Sequence, residues 1–371
     1  MRILHLITTL DVGGAEMHLL AQVRGQAARG HHLRVLYLKG HGTLAPDFRA
    51  AGAGYVGRAG FMGIFRSARW AEIVHTHLLK ADAAGALVAT LALRRSSLLS
   101  SKHNDEQVLK RPLVSLAHGL LGSLPRRTIV LSEHVGRFVV EHGRLDPARI
   151  RRVYYGLDPT PFEAAAAAPR AGRDALRASF GFLPEHVVFV CVARFAPQKA
   201  HDVLLRALRA TPDDRVRLLL VGDDPFGDGR RKAQALARDL DLGPRAVFAG
   251  IRRDVPELLA ASDAFVMASL WEGLGLVFLE AMAAGLPVVS TRVSAIPEVV
   301  VEGETGLLVP PGDSTALSGT MQALARDPDL RARLGNAGRA CVRERFGLDR
   351  MIEETLAVYA EVASGRPPAR S

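Results

Sequence analysis

Short runs of Ile, Leu and Val alternate with amphipathic stretches along nearly the whole chain of 371 residues. In the first half these runs are four to seven residues long and are bounded by Gly, Pro or charge, which is typical of buried parallel strands. Between them, apolar residues recur at the spacing of an α-helix. Strands that alternate with helices predict a doubly wound α/β sheet. The predicted strands of this half are residues 2–8, 33–38, 72–75, 98–102, 128–131 and 152–155.

The alternation stops at residues 159–172 and then starts again. This segment reads PTPFEAAAAAPRAG, and its three prolines around an alanine run predict a linker between two domains. We therefore expect two tandem Rossmann-like domains, at residues 1–165 and 173–345, which face each other across a cleft and bind ligands at the carboxyl ends of their strands. The later part of the chain is predicted to be helical up to a disordered tail at 364–371. The predicted strands of the second domain are residues 187–193, 216–221, 246–248, 264–268 and 288–290.

The composition excludes several classes of protein. Hydrophobic residues make up 48% of the chain, which is too many for a disordered protein. Two cysteines, Cys191 and Cys341, are too few for a disulfide framework or a four-cysteine zinc site. No uncharged apolar run reaches the roughly 18 residues that span a bilayer, and the N-terminus resembles a first buried strand more than a signal peptide. These features predict a soluble cytoplasmic protein.

Positive charge is concentrated in the first half of the chain. Residues 1–168 carry 22 Lys and Arg against 12 Asp and Glu, whereas residues 169–371 carry 26 against 26. This asymmetry predicts an anionic partner for the first half, which is nucleic acid, an anionic membrane surface or a phosphate-bearing small molecule. The basic runs are only pairs and lack interleaved aromatic residues, which argues against nucleic acid. An arginine-rich coding bias would explain the same charge without any partner.

Two small motifs follow the first predicted strand of each half. Gly13 and Gly14 open a helix, where glycines let the backbone approach a ligand and the helix N-terminus attracts anions. Arg194 and Lys199 lie after the first strand of the second half, and two cations at a strand's carboxyl end suit a diphosphate. The alternative interpretations are an ordinary glycine turn and solvated loop charges.

The segment WEGLGLVFLE at residues 271–280 carries two glutamates eight residues apart. Glu272 lies in a glycine-rich loop with Gly273, Leu274 and Gly275, and Glu280 lies about one turn into the next predicted helix. Glu280 could accept hydrogen bonds from a ribose diol, Glu272 could reach sugar hydroxyls, and the backbone N–H groups near 274–276 could face a phosphate. A pair of solvated carboxylates is the alternative interpretation.

Histidines form a third group of candidates. His103 follows the predicted strand at 98–102, where it could bind or polarise a substrate hydroxyl. Eleven of the 13 histidines lie in this half of the chain, so His103 could equally be an ordinary loop histidine. His75 and His77 point the same way if their strand continues, but no third ligand is apparent. We therefore predict no metal site.

Together these motifs resemble the retaining, nucleotide-sugar-dependent glycosyltransferases of family 4, which have the GT-B fold. The likeness covers nearly the whole chain, and its pieces come in the right order. They are GGAE at 13–16, HTH at 75–77, KH at 102–103, VLSEHV at 130–135, YGLD at 155–158, ARFAPQK at 193–199, LLLVGDD at 218–224, the block FAGIRRDVPELLAASDAFVMASLWEGLGLVFLEAMAAGLPVVST at 248–291, IPEVV at 296–300 and EGETGLLVPPGD at 302–313.

The resemblance implies a role for each matching residue. Four of them act on the reacting groups: His103 at the sugar hydroxyls, Arg194 and Lys199 on the diphosphate in the place that Mg²⁺ fills elsewhere, and Glu272 on the transferred hexose. The remaining donor-binding positions are Gly13 and Gly14 over the phosphates, Gly273, Leu274 and Gly275 in the loop of Glu272, and Glu280 on the ribose. Members retain the anomeric configuration, and in the front-face mechanism proposed for them the leaving diphosphate accepts the acceptor's proton. The resemblance therefore implies neither an enzymic nucleophile nor a metal or other cofactor.

The resemblance thus predicts an enzyme that moves a hexose from a nucleotide diphosphate sugar, with UDP favoured and GDP next, to a hydroxyl of a lipid-linked or glycan acceptor in polysaccharide or glycolipid assembly. Two segments flanked by basic residues, 60–65 and 112–125, predict peripheral binding to the inner face of the cell membrane. The family's final helix commonly packs back on the first domain, which we expect of residues 349–363. The alternatives are a catalytically silent partner subunit and a sugar-nucleotide 2-epimerase.

Three features depart from the family pattern. Tyr155 replaces the common Asn of N-G-x-D, and Ala200 replaces a glycine that often follows the lysine. We expect both changes to affect packing only. The stretch between residues 57 and 70 is shorter than usual where many members have a further helix, which weakens any inference about the acceptor.

Overall fold

The computed structural model describes residues 1–93, 97–222, 224 and 227–364. The chain forms two units, one of Met1–Gly156 with Leu348–Ser371 and the other of Leu157–Gly347. Each unit contains one sheet of parallel strands joined by helices. The predicted two-domain α/β fold class is confirmed.

The first unit has a seven-stranded sheet in the order β3-β2-β1-β4-β5-β6-β7. The strand β3 was not predicted from the sequence, and β4 extends two residues beyond the predicted end at residue 75. The strand β7 begins two residues earlier than predicted. The strands are β1 (Arg2–Ile7), β2 (His32–Tyr37), β3 (Tyr55–Arg58), β4 (Ile73–His77), β5 (Leu98–Lys102), β6 (Arg127–Val130) and β7 (Ile150–Arg152). The helices are α1 (Gly14–Ala28), α2 (Ala45–Ala50), α3 (Phe61–Trp70), α4 (Leu79–Leu91), α5 (Pro112–Gly122), α6 (Glu133–Glu141) and α16 (Leu348–Ala363).

The C-terminal helix α16 packs against α1 within the first unit. Its apolar side chains, with Ile352 and Tyr359 among them, are buried in the core that also contains β1 and β2. Gly25 of α1 permits this close approach, because a Cβ there would lie 2.6 Å from the Ile352 side chain. The tail segment 365–371 of the predicted disordered end lies outside the described residues.

The second unit has a six-stranded sheet in the order β10-β9-β8-β11-β12-β13. Its last strand, β13, was not predicted from the sequence. The strands are β8 (Val187–Val192), β9 (Val216–Val221), β10 (Ala246–Gly250), β11 (Ala264–Met267), β12 (Val288–Thr291) and β13 (Gly306–Val309). The helices are α7 (Thr160–Ala167), α8 (Arg170–Ser179), α9 (His201–Ala210), α10 (Gly229–Asp239), α11 (Val255–Ala260), α12 (Leu276–Ala283), α13 (Ile296–Val299), α14 (Ser314–Arg326) and α15 (Pro328–Arg345).

The segment 159–172 is helical and part of the second unit, so its prediction as a linker was wrong. Alanine has the highest helix propensity, and Pro161 lies in the first turn of α7, where its missing N–H costs nothing. Phe162 is buried, and α7 packs beside α11. The second unit therefore begins at Leu157, before the expected boundary after residue 165.

Both sheets reverse their strand order at one point, between β1 and β4 in the first unit and between β8 and β11 in the second. Ligands of open α/β sheets bind outside the carboxyl ends of strands at such a reversal. The predicted site residues follow β1, β5, β8 and β11, which are at or next to these reversals.

Candidate active site

Lys199 and Glu272 form a buried ion pair in the second unit. Lys199 Nζ donates to Glu272 Oε1, and Ser269 Oγ donates to the same oxygen at 2.7 Å. Their side chains are only 12% and 7% exposed. Lys199 follows β8 and Glu272 follows β11, which are neighbours in the sheet. Two adjacent strand ends thus bring together a cation and a carboxylate from distant parts of the sequence.

Hydrogen bonds between the two loops hold this pair in place. The N–H of Leu270 donates to the carbonyl oxygen of Gln198 at 2.8 Å, and the Gln198 side chain donates to the carbonyl oxygen of Trp271 at 2.6 Å. Thr291, at the end of β12, donates through Oγ1 to the carbonyl oxygen of Ser269 at 2.5 Å. The geometry of the pair is therefore set by backbone contacts between three neighbouring strand ends.

Arg194 and Glu280 flank this pair in the sequence but are not joined to it. Within the described part of the chain, neither forms a hydrogen bond or ion pair with Lys199 or Glu272. Arg194 is exposed in the loop after β8, and Glu280 is half-buried on α12. Burial raises the pKa of the Glu280 carboxyl to about 7. The site therefore combines an exposed cation with a carboxyl group that titrates near neutral pH.

The glycine loop before α12 depends on a left-handed residue. Gly275 has a φ of 83°, and a Cβ there would lie 2.5 Å from the ring of Phe278. Both facts require glycine. Gly273 and Leu274 are buried beside it, and α12 begins at Leu276, with the N–H of Phe278 donating to the carbonyl oxygen of Gly275 at 3.0 Å.

Gly13 and Gly14 begin α1 in the first unit, as predicted from the sequence. A Cβ on Gly13 would lie 2.5 Å from the Glu16 carboxylate, which accepts a 2.6 Å hydrogen bond from Thr9 Oγ1. A Cβ on Gly14 would meet no atom within 4 Å. Gly14 therefore presents open backbone, and replacing it by alanine causes no clash within the protein.

His103 is buried, and both of its ring nitrogens have partners. Nε2 lies 3.0 Å from Nδ1 of His77, and Nδ1 lies 2.8 Å from the Tyr155 hydroxyl oxygen. Burial lowers the pKa of His103 to about 3, so the ring is neutral. Tyr155 lies around the site residues as expected, and its hydroxyl adds a direct hydrogen bond to His103. A substrate hydroxyl must replace one of these two partners to reach the imidazole.

A third buried histidine, His5, lies beside His75 and His77. The register of β1 against β4 places His5 opposite His75. The ligand atoms of the three side chains lie within 4.8 Å of one another, which is close enough to hold a metal ion. Sequence reasoning missed His5, although a lone histidine in the apolar run RILHLI was the available signal.

The nitrogens of these three histidines are already engaged in hydrogen bonds. His5 contacts His77 at 3.0 Å and Gln26 Oε1 at 2.9 Å. His75 contacts the Tyr359 hydroxyl at 2.7 Å and Ser101 Oγ at 2.6 Å. Burial lowers the pKa of His5 to about 4 and those of His75 and His77 well below their ordinary value. The cluster is thus a network of neutral imidazoles in which each lone pair already accepts a hydrogen bond.

Two family models together match most of the chain. The model described as "Glycosyl transferases group 1" matches residues 172–340, and the model described as "Glycosyltransferase Family 4" matches residues 12–160. The first match contains the Lys199–Glu272 pair, and the second contains Gly13, Gly14, His75, His77 and His103.

Individual relatives agree with these matches. The GDP-mannose-dependent α-(1-6)-phosphatidylinositol monomannoside mannosyltransferase of Mycolicibacterium smegmatis is 31% identical over 96% of both chains. The N-acetyl-α-D-glucosaminyl L-malate synthase of Bacillus anthracis is 32% identical over 50% of this chain, and the match spans about half (49%) of that relative's length. The crystal structure of Anabaena Alr3699/HepE in complex with UDP has the same fold, with a TM-score of 0.86 at 22% identity, and the match covers 97% of this chain and 100% of that one. The chain therefore belongs to the group 1, family 4 glycosyltransferases and has their GT-B fold.

Proposed function

We propose that this glycosyltransferase moves a hexose from a nucleotide diphosphate sugar to a hydroxyl of a lipid-linked or glycan acceptor, with retention of configuration and without a metal ion. The buried Lys199–Glu272 pair carries the proposal, because it places a cation and a hydrogen-bond acceptor together at the strand reversal of the second unit. Such a pair suits a ligand that is anionic at one end and rich in hydroxyls at the other.

In this proposal the cations do the electrostatic work. Negative charge grows on the diphosphate as the sugar leaves, and the amine of Lys199 and the guanidinium of Arg194 stabilise that charge. Glu272 accepts hydrogen bonds from the hexose, and Glu280 accepts them from the ribose. The backbone N–H groups of the 273–275 loop and of the start of α12 complete the donor site. Gly13, Gly14 and His103 remain the predicted contributions of the first unit.

The relatives point to two donor bases. HepE was solved with UDP and with UDP-glucose, and the Mycolicibacterium relative is named for its use of GDP-mannose. We favour UDP, with GDP as the alternative. The same relative's name includes a phosphatidylinositol mannoside, which supports a lipid-linked acceptor here.

Thermal-shift titration with UDP, GDP, ADP and dTDP, in EDTA and in Mg²⁺, tests this proposal. We expect one nucleotide to stabilise the protein by about 2.7 kcal/mol at about 100 times its dissociation constant. The stabilisation should be equal in EDTA and should be lost in Arg194→Ala. Arg231→Ala removes another exposed arginine of the second unit and serves as the matched control. Dependence on Mg²⁺ would contradict the metal-free site, and no response to any nucleotide would contradict the donor site.

Gly14→Ala provides the matching test in the first unit. Since the added methyl group meets no protein atom, the melting temperature of the free protein should not change. If phosphate approaches this backbone, the methyl group blocks it and donor turnover falls. Unchanged turnover would remove Gly14 from the site. Nucleotide binding without any turnover by the wild-type protein would instead favour the silent partner subunit.

A basic, apolar face of the first unit supports a further proposal, that the enzyme binds an anionic lipid surface. Helix α4 packs against both α3 and α5, and these three helices expose a row of large apolar side chains. The residues are Phe61, Met62, Leu87, Leu91, Leu113, Leu116 and Leu120, which are 48% to 82% exposed. Both predicted interfacial segments, 60–65 and 112–125, contribute exposed side chains to this face. Ile64 of the first segment is buried instead.

The charges around this face are positive. Arg58, Arg66, Lys110 and Arg111 are exposed, and neither α3 nor α5 contains an acidic residue. Asp82 of α4 is buried in an ion pair with Lys102. Arg127, which the sequence suggested as part of this basic margin, is instead buried and paired with Glu361. No helix in the described ranges is long and apolar enough to cross a bilayer.

Flotation with phosphatidylcholine vesicles, with and without phosphatidylglycerol, tests the membrane proposal. We expect binding only to the anionic vesicles. Lys110→Ala/Arg111→Ala should weaken it about 30-fold, at about 1 kcal/mol per basic residue, and Leu113→Ser/Leu120→Ser should weaken it too. Leu183→Ser, which changes an exposed leucine of the second unit, is the control. Equal binding to both kinds of vesicle would overturn the proposal.

A further inference from the structure

A series of hydrogen bonds, called here the histidine relay, runs through buried side chains of the first unit. It begins at Gln26 of α1, passes through His5, His77 and His103 in that order, and ends at Tyr155. The successive distances are 2.9 Å from Gln26 Oε1 to His5 Nε2, 3.0 Å from His5 Nδ1 to His77 Nε2, 3.0 Å from His77 Nδ1 to His103 Nε2, and 2.8 Å from His103 Nδ1 to the Tyr155 oxygen. Each of the three imidazoles in this relay uses both of its nitrogens.

The amide of Gln26 gives the histidine relay a direction. A neutral imidazole has one N–H donor and one lone-pair acceptor. Gln26 Oε1 can only accept, so His5 must donate from Nε2 and accept at Nδ1. His77 must then donate from Nε2, and the same step repeats at His103. The orientation of one amide therefore determines which nitrogen of each histidine carries the hydrogen.

We propose that Gln26 is a positioning residue that holds His103 as its Nε2–H tautomer, with the Nδ1 lone pair directed at Tyr155 or at a substrate hydroxyl that takes its place. The Tyr155 hydroxyl donates to this lone pair in the free protein. The catalytic consequence rests on the proposed function, whereas the tautomer itself does not.

Tyr359 of the C-terminal helix is the second hydrogen-bond partner of the Gln26 amide. Gln26 Nε2 donates to the Tyr359 hydroxyl at 3.2 Å, and that hydroxyl lies 2.7 Å from Nδ1 of His75. Since the hydroxyl accepts from Gln26, its own hydrogen goes to His75, which then donates from Nε2 to Ser101. If the amide were turned round, Tyr359 would donate to Gln26 and all four histidines would carry hydrogen on Nδ1. The helix α16 thus supplies a partner to the amide whose orientation sets the tautomer of His103.

Burial supports the histidine relay by keeping it neutral. His5, His75 and His77 are wholly buried, and desolvation is the first cause that lowers the pKa of each. A charged imidazole has two donors and no acceptor, so it would break the sequence of donors and acceptors. The titratable or charged groups that face His103 include His18, His75, His77, Lys102 and Tyr155. Glu106 lines the same small pocket as His103, and burial raises the pKa of its carboxyl, which favours the neutral form.

Long-range ¹H–¹⁵N NMR of the full chain labelled with ¹⁵N-histidine tests the proposal without any substrate. The two ring nitrogens of neutral histidine have distinct shifts according to which one carries hydrogen. In the wild-type protein we expect His5, His75, His77 and His103 to be Nε2–H tautomers, each assigned by its own substitution. Observation of His103 as the Nδ1–H tautomer would overturn the proposal.

Gln26→Met is the main variant, and Gln22→Met is its matched control. Gln22 lies one turn earlier on the same helix and is equally buried. It contacts His18, which is not part of the histidine relay from Gln26 to Tyr155. Gln26→Met removes the acceptor that sets the direction, so His103 should become a mixture of tautomers. Gln22→Met should leave it unchanged. A single unchanged Nε2–H tautomer in folded Gln26→Met would contradict the proposal.

Tyr359→Phe keeps the proposal testable if Gln26→Met does not fold. It removes the group that accepts the Gln26 Nε2–H hydrogen bond, so the observed amide orientation loses a partner and we again expect mixed tautomers at His103. If both variants keep the wild-type tautomer, Gln26 does not set it. For a family-typical reaction, Gln26→Met should lower kcat about tenfold with the donor KM changed by less than about twofold, because binding groups are untouched. Lost turnover with an unchanged tautomer would refute the positioning role of Gln26 and leave the proposed function standing.

Discussion

The two units use the same part of the same kind of sheet for opposite chemistry. In the second unit, the loops after β8 and β11 carry the Lys199–Glu272 pair and the exposed Arg194, and α12 adds the titrating Glu280. In the first unit, the corresponding strand ends carry neutral imidazoles joined by hydrogen bonds, beside one buried ion pair between Lys102 and Asp82. The charged groups of the second unit suit attraction of an anion, whereas the hydrogen-bonded histidines of the first unit suit fixed orientation of a neutral group.

This difference has a cost that depends on pH. When charged groups in a binding site titrate, the affinity of the site for its ligand changes. When buried neutral histidines have a lower pKa in the folded than in the unfolded state, the free energy of unfolding depends on pH. The second unit should therefore respond to pH mainly in binding, and the first unit mainly in folding. Two experiments separate these responses, and a third tests the backbone beside Lys199.

Acid should destabilise the first unit much more than the second. The native pKa of His5, about 4, lies below the unfolded value of 6.5, so the stabilisation is complete above pH 6.5 and is lost as pH falls towards 4. Between pH 7 and 5 His5 alone should cost about 2 kcal/mol. His18, His75, His77 and His103 act in the same direction, whereas Glu106, whose carboxyl pKa is raised by burial, opposes them.

In the second unit two groups of opposite sign nearly cancel over this range. The pKa of His201 is lowered to about 4, so acid destabilises through it, whereas the raised pKa of Glu280 means that the native state gains stability as pH falls from 7. Urea unfolding of Trp271→Phe reports on the first unit through Trp70, and Trp70→Phe reports on the second through Trp271. An equal fall in both midpoints would break the contrast between the units.

Donor affinity should rise with pH through Glu280. A ribose diol donates hydrogen bonds to the ionised carboxylate, and the pKa of about 7 leaves that form scarce at pH 6. Affinity should therefore increase about tenfold from about pH 6 to about pH 8. Calorimetric titration of the wild-type protein and of Glu280→Gln measures the difference, because ionisation of the nucleotide phosphate is common to both. The same pH slope in both proteins would show that Glu280 does not contact the donor.

The smallest effect concerns the backbone beside Lys199. Ala200 has a φ of 44° and a ψ of 51°, a left-handed conformation that costs an L-residue about 1–2 kcal/mol. This backbone conformation, rather than packing, makes glycine well suited to this position. Ala200→Gly should stabilise the second unit by about 0.5 kcal/mol after the entropy lost by glycine.

Ala207→Gly, in the interior of α9, provides the control for this substitution. Glycine there should destabilise the second unit by about 1 kcal/mol, because the native conformation is ordinary helix. The pair is measured by urea unfolding in the Trp70→Phe background. If Ala200→Gly destabilises as much as the control, the left-handed strain is absent.

Much of the fold followed from local patterns in the sequence. The apolar runs predicted most strands, because buried parallel strands need continuous hydrophobic side chains. The short stretch between residues 57 and 70 nevertheless contains the helix α3. The strands β3 and β13 were missed, since each contains a glycine, a residue that is depleted in strands. The linker interpretation of 159–172 failed because prolines can begin helices as well as interrupt them.

The sequence by itself determined which residue types stand at the strand ends, including His103, Lys199, Glu272 and Glu280. Only the tertiary structure decided their partners. His5 meets His77 across 72 residues, and Gln26 meets Tyr359 across 333, because strand order and the return of α16 to the first unit bring them together. Spacing along the chain describes one helix or strand, whereas a hydrogen bond between two elements depends on where each of them packs.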